Sequence, residues 1–252
     1  MALQLARTAE EARDHLARNL RNHDIADDRI RDHVRIVTGP QPYRHSYYAA
    51  DEFMRIDTAT GVAGNIYGQR VLRVTGNYLR ALHKTIADEM GPRADVALYR
   101  LGYRWGEADA KTFAPRVEQE YECEFDKLAM GVMLDSWWWP YRAAGWGAWR
   151  YDFGQARNGM VIVELYDSAV AEACGHSDKP VCHLYAGLFA ATFGFVAKRE
   201  LACLEFKCRA KGDPHCQFLV ATKRRIDVAT AERDDGASIN DIIQMLSAMS
   251  KS

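Results

Sequence analysis

At 252 residues the chain is long enough for one large domain or two small ones, and 48% hydrophobic residues suffice for a sizeable core. Its 33 Lys and Arg against 34 Asp and Glu leave a formal net charge of -1, no electrostatic footprint for nucleic acid or an anionic membrane. No apolar run approaches the roughly 20 residues that span a bilayer. The charged start, MALQLARTAEEARDHLARNL, lacks the apolar core of a secretory signal, so a cytoplasmic location is expected.

Residues 1–36 carry Leu3, Ala6, Ala9, Ala12, Leu16, Leu20, Ile25, Ile30 and Val34 at helical spacing among charges of both signs. One or two amphipathic helices are expected there, with little core of their own. Residues 38–68 are rich in Gly, Pro and Tyr and read as a connector with short strands, in which Tyr43, Tyr47 and Tyr48 pack a loop or meet a ligand. The spacing of Val71, Val74, Leu79, Leu82 and Ile86 predicts a helix over 69–89, stopped by Gly91 and Pro92. A second helix is expected from about Arg93 to Ala110. Gly102 and Gly106 share one of its faces, where another backbone or a ligand can approach closely.

Aromatic residues concentrate over 115–165, with Trp137, Trp138, Trp139, Trp146 and Trp149 in one short stretch. Three consecutive tryptophans do not all face one side of a helix or strand, so at least one is expected to be exposed or to line a cavity. Pro140, Gly145 and Gly147 suggest strands and turns, and residues 158–166 read as a strand. Apolar pockets with a few polar groups are the usual form of a small-molecule site. The residues expected to line one are Tyr99, Tyr103, Trp105, Trp138, Tyr141, Trp146 and Tyr166. Glu107, Asp109 and Asp135 are candidate acids or bases near this stretch, with a solvated or capping role as the simpler reading. Residues 227–237 read as a linker. Ser238 then caps a short helix with Ile239, Ile242, Ile243, Leu246 and Met249 on one face.

The six cysteines, in a reducing compartment, read as metal ligands or buried thiols before disulfides. Cys182, Glu205, Cys208 and Cys216 stand out, the last two flanking a Gly-Asp-Pro-His turn that brings their sulfurs together. The apolar run after Cys182 is long enough for a helix, and alternation around Glu205 predicts a strand, a tight turn and a returning strand. Glu205 is an odd residue to bury among Leu204, Phe206 and Phe218 without a partner. Thiolates plus a carboxylate suit Zn²⁺, and four protein ligands mark a structural site. His183 and His215 are rival fourth ligands, and Cys203 lies on the same strand face as Glu205. Cys123 and Cys174 have no ligand-spaced companions and are expected to be core thiols. No Gly-rich phosphate loop, H-E-x-x-H, G-x-S-x-G or helix-turn-helix is present.

The C-x₂₂-E-x₂-C-x₇-C arrangement resembles that of the 4-vinyl reductase domain family, most closely the ligand-sensing domain of XylR/DmpR/MopR-type activators of aromatic catabolism. EFKCRAKGDPHC (205–216) is the most specific segment; GPRA (91–94), RLGYRWGEADA (100–110) and YDS (166–168) are similar to the same sensors. The resemblance implies an α+β ligand-binding fold shared with Golgi-transport and nitric-oxide-sensor relatives. It also implies a homodimer enclosing a hydrophobic aromatic molecule beside a structural Zn²⁺ held by Cys182, Glu205, Cys208 and Cys216. The positions at which phenol sensors hold the ligand hydroxyl fall near Tyr141 and Tyr166, where this chain departs from them. Standalone members occur beside bacteriochlorophyll biosynthesis, which adds a tetrapyrrole as a ligand class. The expected organisation is a helical arm and connector (1–67), the zinc and ligand-binding domain (68–222), and a linker with a C-terminal helix (223–252). The expected function is a sensor, carrier or accessory binding protein. The alternative is a reductase or lyase using Tyr141, Tyr166 or Asp135 as proton donor.

Overall fold

The computed structural model describes residues 54–65, 69–128 and 130–249. The helices expected over 1–36, and Tyr43, Tyr47 and Tyr48, lie outside the described residues. The chain divides into two compact units, Met1–Arg73 with Thr112–Ala144, and Val74–Lys111 with Gly145–Ser252.

In the first unit, β1 (Met54–Asp57) and β2 (Val62–Asn65) form an antiparallel hairpin, as the connector reading expects. The Asp57 carboxylate closes its turn by accepting from the Ala59 and Thr60 amides. The strand pairing continues past the hairpin: Arg70 bridges Gly64, and the Val71 amide donates to the Ala63 carbonyl at 2.9 Å. Those donors are committed to extended pairing, so the expected helix over 69–89 begins only at Gly76.

Also in this unit is α3 (Met130–Ala143), where strands and turns were expected. Pro140 falls in its last turn. It forfeits one backbone bond, to the Ser136 carbonyl, without ending the helix. Trp137, Trp138 and Trp139 are only 2%, 8% and 7% exposed, so the expectation of an exposed tryptophan is overturned. The Arg142 guanidinium supplies part of the cover, lying 5.0 Å from the Trp138 ring and 5.8 Å from the Trp139 ring.

The second unit begins with α1 (Gly76–Met90), ended by Gly91 at φ 52°. Next comes α2 (Ala94–Tyr121), which runs on through Pro115, well past Ala110, and carries the chain from one unit to the other. The sheet is fully antiparallel in the order β3-β4-β6-β5: β3 (Ala148–Asp152), β4 (Val161–Tyr166), β5 (Ala202–Lys207) and β6 (Cys216–Ala221). A short α4 (Ala169–Cys174) follows β4.

Alternation along the strands sorts residues between two faces. Trp149, Val163, Leu165, Cys203, Glu205, Cys216 and Phe218 share one, and α5 (His183–Ala197) covers it. Every residue of α5 from Leu184 to Gly194 is buried. Its Phe189 meets Trp149 and Phe218 edge-on at 5.3 and 5.1 Å.

Behind α5, the 94–111 part of α2 approaches backbone to backbone. A Cβ on Gly187 would stand 1.9 Å from the Tyr99 carbonyl oxygen, and one on Gly102 would be closer still to that of Leu184. Gly102 and Gly106 therefore serve helix packing, one of the two uses their spacing allows.

The opposite sheet face holds Ile162 and Leu219. They pack with Ile226 and Ala229 of α6 (Lys223–Asp234) and Ile242 and Leu246 of α7 (Ile239–Ala248). The stretch read as a linker is thus largely helical. Ile226 and Ala229 are the buried positions of α6, and a Lys223–Asp227 pair at 2.8 Å supports its exposed face. Ser238 caps α7 as expected, accepting from the Asp241 amide.

Candidate metal centre and aromatic sites

Strand β5 delivers Glu205 to the α5 face and Cys208 follows at its end. A short turn then returns the chain so that Cys216 opens β6, and Cys182 sits at the N-cap of α5. The four ligand atoms lie within 4.8 Å of one another, and all four residues are buried. Cys182 Sγ and Cys216 Sγ are 3.6 Å apart. Two sulfurs on one tetrahedral zinc with bonds near 2.3 Å are separated by about 3.8 Å, so the spacing fits that ion.

Glu205 is 2% exposed; its Oε2 accepts the Cys182 amide at 2.9 Å, while Oε1 is buried without a hydrogen-bond partner. An orphaned carboxylate oxygen among three sulfurs is the arrangement that a cation satisfies. Burial, then the neighbouring Cys208, pushes the Glu205 carboxyl up, and hydrogen bonds from Cys182 and Cys216 hold the Cys208 thiol down to about 2.

A surrounding shell fixes the set. Ser168 Oγ is 3.3 Å from Cys182 Sγ, the Arg209 amide donates to Cys216 Sγ at 3.4 Å, and Asp213 accepts from the Cys208 amide at 2.8 Å. Arg209 also pairs with Asp167, a non-glycine residue at φ 50°, which ties the turn to the loop carrying Ser168.

The rival ligands are elsewhere. His183 faces Asp95, at 3.5 Å, and His215 stacks on Tyr166 with centroids 4.9 Å apart. Cys203 shares the Glu205 face but stays outside the group; its amide donates to the Tyr99 hydroxyl at 3.3 Å. Cys123 and Cys174 are half-buried, not core thiols: the first follows the end of α2 and the second ends the short α4.

Of the seven aromatics expected to line a pocket, five lie in the second unit. Tyr99 and Tyr103 stand on α2, and burial raises the pKa of both phenols. Trp105 and Trp146 pack at 4.9 Å, both half-buried, and Trp146 meets Tyr185 edge-on. Tyr185 donates to the Trp146 carbonyl. Tyr166 points to the opposite sheet face: its hydroxyl donates to Glu164 at 3.0 Å and Arg150 lies over its ring. Trp138 and Tyr141 are buried on α3 in the first unit, where Tyr141 meets Trp137 edge-on at 5.5 Å. The side chain of Asp135 lies outside the described residues.

Sequence reasoning missed Tyr185 and Ser168, which link the aromatic run to the cysteine group. A serine before a short helix reads as a cap, and Ser168 is one; nothing in that local pattern signals its second contact, with Cys182.

Residues 161–222 match the family model of the 4-vinyl reductase domain, so the chain carries a domain of that family. The phenol-responsive sensory domain of the transcription activator PoxR, solved with phenol, superposes with a TM-score of 0.55 at 21% identity, covering 70% of this chain and 88% of that one. A vinyl-4-reductase family protein from Methanocaldococcus jannaschii aligns at 15% identity and a TM-score of 0.41, over 60% of this chain and 82% of that one. In sequence, the uncharacterized protein MJ0150 of the same organism is 32% identical over 69 residues, 27% of this chain and 39% of that relative's length. The α+β fold is therefore of the 4-vinyl reductase type, in the form the PoxR sensory domain takes. Among the described residues no helix is long and apolar enough to cross a membrane.

Proposed function

We propose that this chain is a zinc-stabilised binding domain for a small hydrophobic aromatic molecule, serving as a sensor, carrier or accessory factor. Cys182, Glu205, Cys208 and Cys216 would hold the Zn²⁺, which supplies a closed cross-link between α5 and the β5–β6 hairpin. The observation that carries this is the buried, half-satisfied Glu205 carboxylate among three thiols.

The aromatic ligand class rests on the sheet face lined by Trp149 and Cys203, on Tyr99 and on the half-buried Trp105–Trp146 pair. The fold likeness to a domain described as phenol-responsive supports it. A tetrapyrrole is the largest member of that class the tryptophans suit. Metal analysis of the purified protein tests the first half: about one zinc per chain, lost in Cys208→Ser, is expected, and a folded metal-free wild type refutes it. Tryptophan-fluorescence titration with phenols, biaryls and porphyrins tests the second, and no response to any of them refutes it. A homodimer is expected by light scattering.

One observation favours a second reading, a reductase or lyase on the same scaffold. Tyr166, Glu164 and His215 form a hydrogen-bonded, stacked group of acid–base side chains. Turnover of a bound ligand that Tyr166→Phe abolishes would establish it.

A further inference from the structure

We propose a second metal site, formed by His183 at the start of α5, Asp95 in the first turn of α2 and His83 on α1, that takes a borderline divalent ion such as Zn²⁺. It is independent of the cysteine group. Cys182 directs its sulfur to Ser168 and Cys216, whereas the next side chain, His183, points to α2.

The argument starts from one imidazole. His183 hydrogen-bonds the Pro180 carbonyl, while its Nε2 is buried and has no hydrogen-bond partner. The donor to Pro180 is therefore Nδ1, which leaves the lone pair on Nε2. A ring N–H held by a backbone carbonyl is the usual brace of a metal-binding histidine.

That lone pair faces Asp95 Oδ1 at 3.5 Å. Two acceptors at this distance repel unless a cation lies between them. Two ligands on one tetrahedral ion with bonds of 2.0–2.1 Å stand about 3.4 Å apart. Lys179 Nζ holds the other carboxylate oxygen, Oδ2, at 2.9 Å, which leaves Oδ1 presented to His183.

The second observation is His83. It is 8% exposed, its Nε2 is buried with no partner, and His183 is the one titratable neighbour that acts on it besides burial itself. Among the described residues only the cysteine–glutamate group closes within 4.8 Å, so His83 turns about its side-chain bonds to become the third ligand. The side chains of Asp95 and His183 are 37% and 22% exposed, so an ion enters from solvent and water fills the remaining position. Imidazole with carboxylate suits zinc-like ions over Ca²⁺ or Mg²⁺.

The test uses the full chain with the cysteine group loaded, dialysed to equilibrium against Zn²⁺ in a weakly chelating buffer, with bound zinc counted per chain. Two ions are expected, one tight and one weak. His83→Gln and Asp95→Asn should each weaken the second by about tenfold or more while keeping the first. Cys208→Ser should lose the tight ion and keep the weak one, so failure of the cysteine site leaves this proposal standing. Asp95 is half-exposed, so its variant should fold where His83→Gln does not, as circular dichroism will report. A wild type that stops at one ion overturns the proposal, as does a second ion that survives both variants. Loss of the second ion in His176→Gln instead would assign it to the exposed His176–Asp178 pair and equally overturn the site.

Discussion

Gly187→Ala tests the helix seam on which the second unit depends. The added Cβ would lie 1.9 Å from the Tyr99 carbonyl oxygen and 2.6 Å from the Tyr103 amide nitrogen, both rigid backbone atoms. Real Cβ contacts essentially never fall below 3.0 Å, so α2 and α5 must part by about an ångström. A gap of 0.5–1 Å forfeits a quarter to a half of each contact across the seam. Overpacking of this kind costs at least about 3 kcal/mol, the upper end of the usual range, because neither partner is a flexible side chain. Replacing Gly by Ala inside a helix returns about 1 kcal/mol. The net loss is about 2 kcal/mol or more, a fall of about 4–8 °C in Tm for a chain of this size. Urea unfolding followed by circular dichroism, at saturating zinc, measures it. Gly76→Ala is the control: its Cβ would meet only Ala173 Cβ at an ordinary 3.9 Å, so stability should hold or rise slightly. A Gly187→Ala protein within about 0.5 kcal/mol of wild type would refute the seam.

The other predictions concern single side chains. Leu246→Ala, at a site with 0% exposure, should cost about 2–5 kcal/mol and expose α7 to limited proteolysis. Ser238→Ala removes the cap at the Asp241 amide and should cost about 1 kcal/mol by the same unfolding assay. Arg142→Ala should uncover Trp138 and Trp139 and increase acrylamide quenching of tryptophan fluorescence. Removing zinc with a strong chelator should destabilise the α5–hairpin junction, read as faster amide exchange over 202–221; unchanged exchange would count against a structural ion.

The metal group was legible because its grammar is local. Glu205, Cys208 and Cys216 are brought together by one hairpin, and the Gly-Asp-Pro turn between them is written in the chain. Helix α7 was legible for the same reason, from its cap and one apolar stripe. The misses are non-local. Residues 69–75 carry helical spacing, but their amides are claimed by a hairpin upstream. The three tryptophans of α3 look impossible to bury together until Arg142, one turn on, is seen lying over two of them. The 227–237 stretch is polar enough to pass for a linker because only Ile226 and Ala229 of α6 are buried.

Strand alternation separates two chemistries that a residue list runs together. Leu165 and Tyr166 are neighbours in sequence, yet Leu165 pairs with Cys216 on the α5 face and Tyr166 stands beside His215 on the other. A ligand lying between α2 and the sheet would meet Tyr99, Cys203 and Trp149. It would not meet Tyr166, whose hydroxyl is committed to Glu164. Aromatic binding and acid–base chemistry are thus not competing descriptions of one pocket, but properties of two faces that can be altered one at a time. Tyr166→Phe should leave the affinity for an aromatic ligand within about twofold, since a lost hydrogen bond on the far face is worth under about 1 kcal/mol to it. Tyr99→Phe, which removes the acceptor of the Cys203 amide, should change affinity and stability together. If Tyr166→Phe instead lost most of the binding, the ligand would belong on the Glu164–His215 face, and the aromatic run along α5 would be core alone.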